Sequence, residues 1–160
     1  MPSATASSEP ARAATPEPPP AAALALQGGC LCGAVRYEVA PGALGAIVLC
    51  HCSQCRKAQG SAFAANAPVR AADFRLLAGI DALRAYASSP GKWRSFCGSC
   101  GSPIYSRRDG APEWVRLRIG TLDTPIAARP AAHIHVASKA EWWDIGDDLP
   151  QYPQTEPGRC

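Results

Sequence analysis

Cys50-His51-Cys52-Ser53-Gln54-Cys55 sets three thiols within six residues, and Cys30-Leu31-Cys32 and Cys97-Gly98-Ser99-Cys100 flank it along the chain. With one or two residues between cysteines, each cluster is a knuckle that can aim its sulfurs at one ion. A structural zinc closes its tetrahedron with four thiolates, whereas a catalytic zinc keeps three protein ligands and an open position. Seven cysteines divide into four and three. A Cys-x-Cys and a Cys-x-x-Cys supply two ligands each, so Cys30, Cys32, Cys97 and Cys100 can complete one site. Cys50, Cys52 and Cys55 then hold a second ion from one compact turn. The expected cofactor is Zn2+, two per chain, since thiolates are soft ligands that favour it. The open position at the second ion points to an enzyme.

At 160 residues the chain has the length of one domain. Zinc binding in small structural sites contributes roughly 10–16 kcal/mol, comparable to the net stability of a whole domain. The formal charge of +3 falls to zero once seven thiols ionise and two divalent ions bind. Arg56-Lys57 and Arg107-Arg108 are only doublets, so no basic stripe of the kind nucleic-acid binders carry is expected. Residues 1–24 form an Ala/Pro-rich tract expected to be disordered, with no bulky apolar residue before Leu24. That tract lacks the basic start and apolar stretch of a secretory signal. Together with metal-type cysteine spacing, this places the protein in the cytoplasm, away from membranes. An organellar presequence fits less well, because such segments are Arg-rich and poor in acids.

From Leu26 onward, short apolar runs alternate with Gly, Pro, Asp and Ser. Gly33 to Val39 places Val35, Tyr37 and Val39 on one face, the period of a half-buried strand. Strands are expected at 46–49, 63–69, 74–77, 83–86, 93–96, 104–106, 114–119 and 134–136. Turns are expected at Pro68, at 79–81 and at 88–91. Cys52 to Gln59 reads as a helical turn ended by Gly60. Gly98 and Gly101 suit the positive backbone angles of knuckle turns. The domain is expected over 25–152, mainly β, with an irregular tail at 153–160.

The runs Gly29-Cys-Leu-Cys-Gly-Ala-Val-Arg-Tyr37, Cys50-His-Cys-Ser-Gln-Cys-Arg-Lys57 with Gly60, and Phe96-Cys-Gly-Ser-Cys-Gly-Ser102 resemble the glutathione-dependent formaldehyde-activating enzyme family, which includes centromere protein V. Gly120-Thr-Leu-Asp123 and His133-Ile-His135 with Lys139 and Trp142 resemble its C-terminal pattern. The similarity spans roughly residues 26–152 and matches all seven metal positions. It implies a zinc-bound β-tent fold, akin to a Rab-binding exchange factor and to methionine sulfoxide reductase B. It also implies the four-plus-three assignment, with Cys50, Cys52 and Cys55 catalytic. The implied reaction is addition of glutathione to formaldehyde, giving S-(hydroxymethyl)glutathione, a carbon–sulfur lyase chemistry on a small-molecule thiol and an aldehyde. No feature of the sequence points to an oligomeric state.

Other residues have plainer readings beside the functional ones. His51 is either a donor behind the ligands or a solvent-facing ring. Arg56 and Lys57 can attract substrate carboxylates, offset thiolate charge, or stay solvated. His133 and His135 share one strand face by spacing and read as core or hydrogen-bonding residues. Trp93, Trp114, Trp142 and Trp143 read as core or rim, Asp123 as a turn former, and Cys160 as a bystander thiol. The competing function is a non-catalytic zinc-binding interaction module. A sulfoxide reductase would need a free activated cysteine, and only Cys160 is unassigned.

Overall fold

Strand β3 (Ile47–Cys50) is buried at all four positions, because it is flanked on both edges. It runs antiparallel to β4 (Ala64–Arg70) and parallel to β10 (Pro130–Ile134). The structure, a computed structural model, describes residues 24–157; the disordered extension expected at the N-terminus and the expectation for Cys160 fall on residues outside that range. The large sheet has eight strands in the order β11 (Gln151–Tyr152), β10, β3, β4, β9 (Ala111–Arg118), β8 (Pro103–Arg108), β7 (Lys92–Cys97) and β6 (Leu83–Ser89). A second sheet holds β1 (Leu26–Gly29), β2 (Arg36–Val39) and β5 (Phe74–Ala78), antiparallel throughout. The main core lies between the two sheets: Leu26, Val35, Tyr37 and Val39 meet Val69, Ile104, Val115 and Leu117.

The mainly β expectation holds, and the helical turn is α1 (Ser53–Gln59), closed by Gly60 at φ 58°. Several local expectations are corrected. The strand expected at 33–39 starts only at Arg36, since Gly33 and its neighbours form the turn of the first knuckle. Leu26–Gly29, too short to show a period, is itself a strand. Pro68 lies inside β4 opposite Arg116 and makes no turn. The 88–91 turn shrinks as β6 extends to Ser89. Val136 leaves the last predicted strand for a 3-10 turn at Val136–Ser138. Gln151–Tyr152, at the end of the expected domain where no strand was expected, form β11, paired in parallel with β10 through His133–Gln151 and Ile134–Tyr152. Gly101 does take a positive φ of 76°, but Gly98 does not. Gly98 is constrained by space instead: its N–H donates to the Ala82 carbonyl at 2.7 Å, and a Cβ there would lie 2.9 Å from Arg84 Cγ.

Candidate metal centres

The first knuckle follows β1 and the last follows β7, so folding brings residues some 70 positions apart in sequence to one point. The sulfurs of Cys30, Cys32, Cys97 and Cys100 all lie within 4.8 Å of one another. Cys30 and Cys32 are 3.5 Å apart, and Cys32 and Cys97 3.8 Å. Tetrahedral zinc with Zn–S near 2.3 Å requires S···S separations of about 3.8 Å, so the set fits an ion. The Val35 N–H donates to Cys30 Sγ at 3.2 Å, which orients that sulfur and stabilises its anion. The Ser102 hydroxyl, 3.2 Å from Cys100 Sγ, is the first cause holding that thiol down to about 5.

Cys50 at the end of β3, Cys52 before α1 and Cys55 in its first turn form the second group, again within 4.8 Å. Cys52 caps the helix, its sulfur accepting from the Cys55 N–H at 3.3 Å. Among the described residues no His, Asp or Glu joins these three sulfurs. The Cys52 and Cys55 sulfurs drive the Cys50 thiol up. The Cys50 and Cys52 sulfurs, followed by Arg118 and Arg94, drive Cys55 down. One sulfur thus ionises at its neighbours' expense, and a divalent ion is the usual means of ionising all three. Among the described residues every cysteine falls in one of the two groups, and all seven are unpaired by disulfides.

The two groups differ in what lies in front of them. The three-cysteine group opens into a cavity of about 590 Å3, also lined by Asn66, Lys92, Arg94, Arg108, Arg116, Arg118 and His135; none of the four-cysteine group lines it. Arg94 reaches Cys55 Sγ at 3.9 Å from Nη1 and Gln54 Oε1 at 3.3 Å from Nη2. Arg118 is 4% exposed, with its Nε unpartnered. Burial works against its charge, and the facing Cys55 works for it.

The five cations of this cavity were missed in the sequence, and they correct the expectation of no basic patch. The signal was present as alternation: Lys92 and Arg94 on β7, Arg116 and Arg118 on β9 recur at the two-residue period that puts them on one face. Arg56 and Lys57, by contrast, sit in the last turn of α1 and do not line the cavity.

His51 is fully buried, which removes its solvent-facing reading. Its Nε2 lies 2.8 Å from His133 Nδ1, and His133 Nε2 lies 3.0 Å from Asp147 Oδ1. Burial, then His133, disfavours the charged form of His51. His133 thus takes the hydrogen-bonding role expected of it. His135 does not share its face. It leaves the strand at φ 57°, the left-handed region, and turns toward the cavity. Trp93 donates to Asp109 and Asp123 pairs with Arg36 at 2.7 Å, both away from the cavity.

Comparison with known proteins agrees with this arrangement. The family model for the glutathione-dependent formaldehyde-activating enzyme matches residues 25–138, which hold all seven cysteines and the five cations. A Halomonas elongata protein provisionally named a glutathione-dependent formaldehyde-activating enzyme is 31% identical over 128 residues, covering 75% of this chain and 80% of its own. The crystal structure of a Rhodobacter sphaeroides protein superposes with a TM-score of 0.53 at 28% identity, covering 63% of this chain and 91% of that one. The fold, the cysteine spacing and the extent of the match all agree: this chain belongs to the glutathione-dependent formaldehyde-activating enzyme family.

Proposed function

We propose that this protein is a zinc-dependent carbon–sulfur lyase that joins a small thiol to an aldehyde, with glutathione and formaldehyde as the pair the family name implies. The observation that carries the reading is the contrast between the two sulfur groups: four sulfurs closed on one another, and three sulfurs facing a cavity. An ion held by Cys50, Cys52 and Cys55 supplies a Lewis-acidic position that favours the ionised form of a thiol. In the reaction the substrate sulfur forms a bond to the carbonyl carbon, the C=O double bond becomes C–OH, and the thiol proton ends on that oxygen.

The chain's own residues supply charge balance and enclosure. Three thiolates around a divalent ion leave one net negative charge. Arg118 and Arg94, both beside Cys55, offset it and keep the cavity receptive to an anionic sulfur. Among the described residues no helix is long and apolar enough to cross a membrane, and the seven unpaired thiols suit a reducing compartment, so we place the enzyme in the cytoplasm. The cations line a cavity shared with the cysteines, an arrangement suited to a small anionic molecule more than to a nucleic-acid backbone.

The test is the Cys50→Ser variant, with metal content per chain measured alongside formation of S-(hydroxymethyl)glutathione by NMR. The reading expects one metal of two to be lost, the fold to be kept, and catalysis to vanish. Unchanged turnover in a variant that has lost the second metal would remove the chemistry from that site, and a wild-type rate no faster than the spontaneous reaction would leave a metal-folded interaction module as the better account.

A further inference from the structure

The cations of the cavity stand in rows set by strand register. Asn66 pairs with Arg118 across β4 and β9, Ser106 pairs with both Arg94 and Arg116, and Lys92 pairs with Arg108 across β7 and β8. The row holding Arg118 is nearest the three cysteines, because Cys50 and Asn66 lie on neighbouring strands, one pleat apart in register. The Lys92–Arg108 row lies four residues farther along the strands, about 13 Å at ~3.3 Å per residue. An extended tripeptide spans about 10 Å, so one such molecule can reach from the sulfurs toward this row once the long cationic side chains lean in.

The near and far rows differ in what they serve. Arg94 and Arg118 attend to Cys55, as their contacts show. Lys92 and Arg108 face one another on adjacent strands, and like charges directly opposite are destabilising. No Asp or Glu lines the cavity among the described residues. Polar atoms on its floor also lack partners: Arg118 Nε and Asn66 Oδ1, in side chains 4% and 3% exposed. With Arg94 and Arg118 turned to the three sulfurs, Lys92 and Arg108 form no ion pair with one another's strands among the described residues, and that end of the part-enclosed cavity is suited to receive an anion from outside. A guanidinium matches a carboxylate fork, and a neighbouring ammonium adds charge to the same group.

We propose that the Lys92–Arg108 row seats the carboxylate at the far end of the thiol substrate. It thereby makes the site selective for an acidic, peptide-sized thiol over a small neutral one. This inference rests on the thiol reading of the three-cysteine site, and two probes separate them. S-methylglutathione has the carboxylates without an ionisable sulfur; 2-mercaptoethanol has the sulfur without carboxylates. Both are titrated calorimetrically into the zinc-loaded protein and its Lys92→Gln, Arg108→Gln and Lys92→Arg variants.

Each glutamine variant is expected to bind S-methylglutathione about tenfold or more weakly, the scale of one lost charge-assisted hydrogen bond, with 2-mercaptoethanol affinity unchanged. Lys92→Arg, which keeps the charge, is expected to bind both as the wild type does, and metal content of two per chain verifies that each variant is folded. Equal S-methylglutathione affinity in the wild type and both glutamine variants would overturn the carboxylate seat. Binding of 2-mercaptoethanol alone would overturn the seat and spare the thiol reading. Lys92-dependent binding of S-methylglutathione alone would do the reverse, and binding of neither would overturn both.

Discussion

Two residues with no chemistry of their own hold the site's surroundings in place. Gly28 in β1 lies against the seam between the sheets, where its position opposite Leu122 forms an isolated bridge. A Cβ there would collide with the Thr121 carbonyl and with the Tyr37 hydroxyl, which is itself held across the seam by its 2.8 Å hydrogen bond with the Thr121 hydroxyl. Gly28→Ala is therefore expected to cost about 2–3 kcal/mol, the range for overpacking against backbone that cannot give way. Gly110→Ala, with nothing near its added Cβ, should be close to neutral in the same thermal melts. His133 is the second such residue. Removing it leaves His51 buried with both ring nitrogens unpartnered, since Nδ1 already lacks a partner. His133→Ala should cost about 3 kcal/mol and weaken metal retention at Cys50, Cys52 and Cys55, because His51 sits between two of them. Asp147→Asn, at a half-exposed partner screened by solvent, should leave the melting temperature nearly unchanged. Metal analysis with melting curves separates these outcomes, and similar losses in both variants would argue against a positioning role for the buried pair.

At the scale of elements, β7 carries the feature most sensitive to conditions. Burial, followed by Arg108, Arg118, Arg94 and Arg116, brings Lys92 down to about 8 from 10.5. These neighbours come from β7 itself, from β8 and from β9, so the whole face contributes. Between those two values the unfolded chain binds more protons than the folded one, so the contribution of Lys92 to stability rises with pH across that window. Anion binding runs the other way. Affinity for S-methylglutathione is expected to fall as pH rises through about 8, and Lys92→Arg should flatten that fall; an unchanged profile in the variant would show that another group titrates. The same strand shows what the sequence could reveal. The existence of β9 was legible because Trp114 to Ile119 alternates over six residues, whereas β7 and β8 were read from the shorter runs Trp93 to Phe96 and Ile104 to Ser106 beside the last knuckle. The cationic face was written in that same alternation, yet it emerges only when three strands are set in register, which no local window contains. The parallel pairing of β11 with β10 was not legible at all: Gln151 and Tyr152 have no periodicity, and their strand state depends entirely on their partner. His135 was misplaced for a similar reason. Spacing assumes an unbroken strand, and a single left-handed residue ends it.

At the scale of the whole molecule, the two sulfur groups occupy structurally unequal places, although sequence spacing alone makes them look alike. The four-cysteine group draws Cys30 and Cys32, between β1 and β2, onto Cys97 at the end of β7 and Cys100 in the turn after it, and so ties the three-stranded sheet to the eight-stranded one. Among the described residues, other polar links across that seam are Asp123 and Thr124 N–H to the Gln27 carbonyl, Gln27 N–H to the Thr124 hydroxyl, the Tyr37–Thr121 hydroxyl pair, Leu31 N–H to the Ser102 hydroxyl, and the half-exposed Arg36–Asp123 ion pair. The three-cysteine group hangs instead on β3 and α1, and β3 is already paired along both edges. On the proposed zinc reading, metal at the first site would carry folding energy, while metal at the second would be added to strands already paired without it. A structural zinc contributes about 10–16 kcal/mol against a net stability of about 5–15 kcal/mol, so Cys97→Ser should leave no cooperative melting transition at ambient temperature. Cys52→Ser should lose one metal yet keep the helix cap, since a serine hydroxyl accepts from the Cys55 N–H as the sulfur does, change stability by less than about 1 kcal/mol, and still melt cooperatively with the other metal bound. Metal content and thermal melts of both variants in one buffer decide the matter. Cooperative melting of Cys97→Ser with one metal bound, or collapse of both variants alike, would mean that the seam is held by the apolar core and not by sulfur.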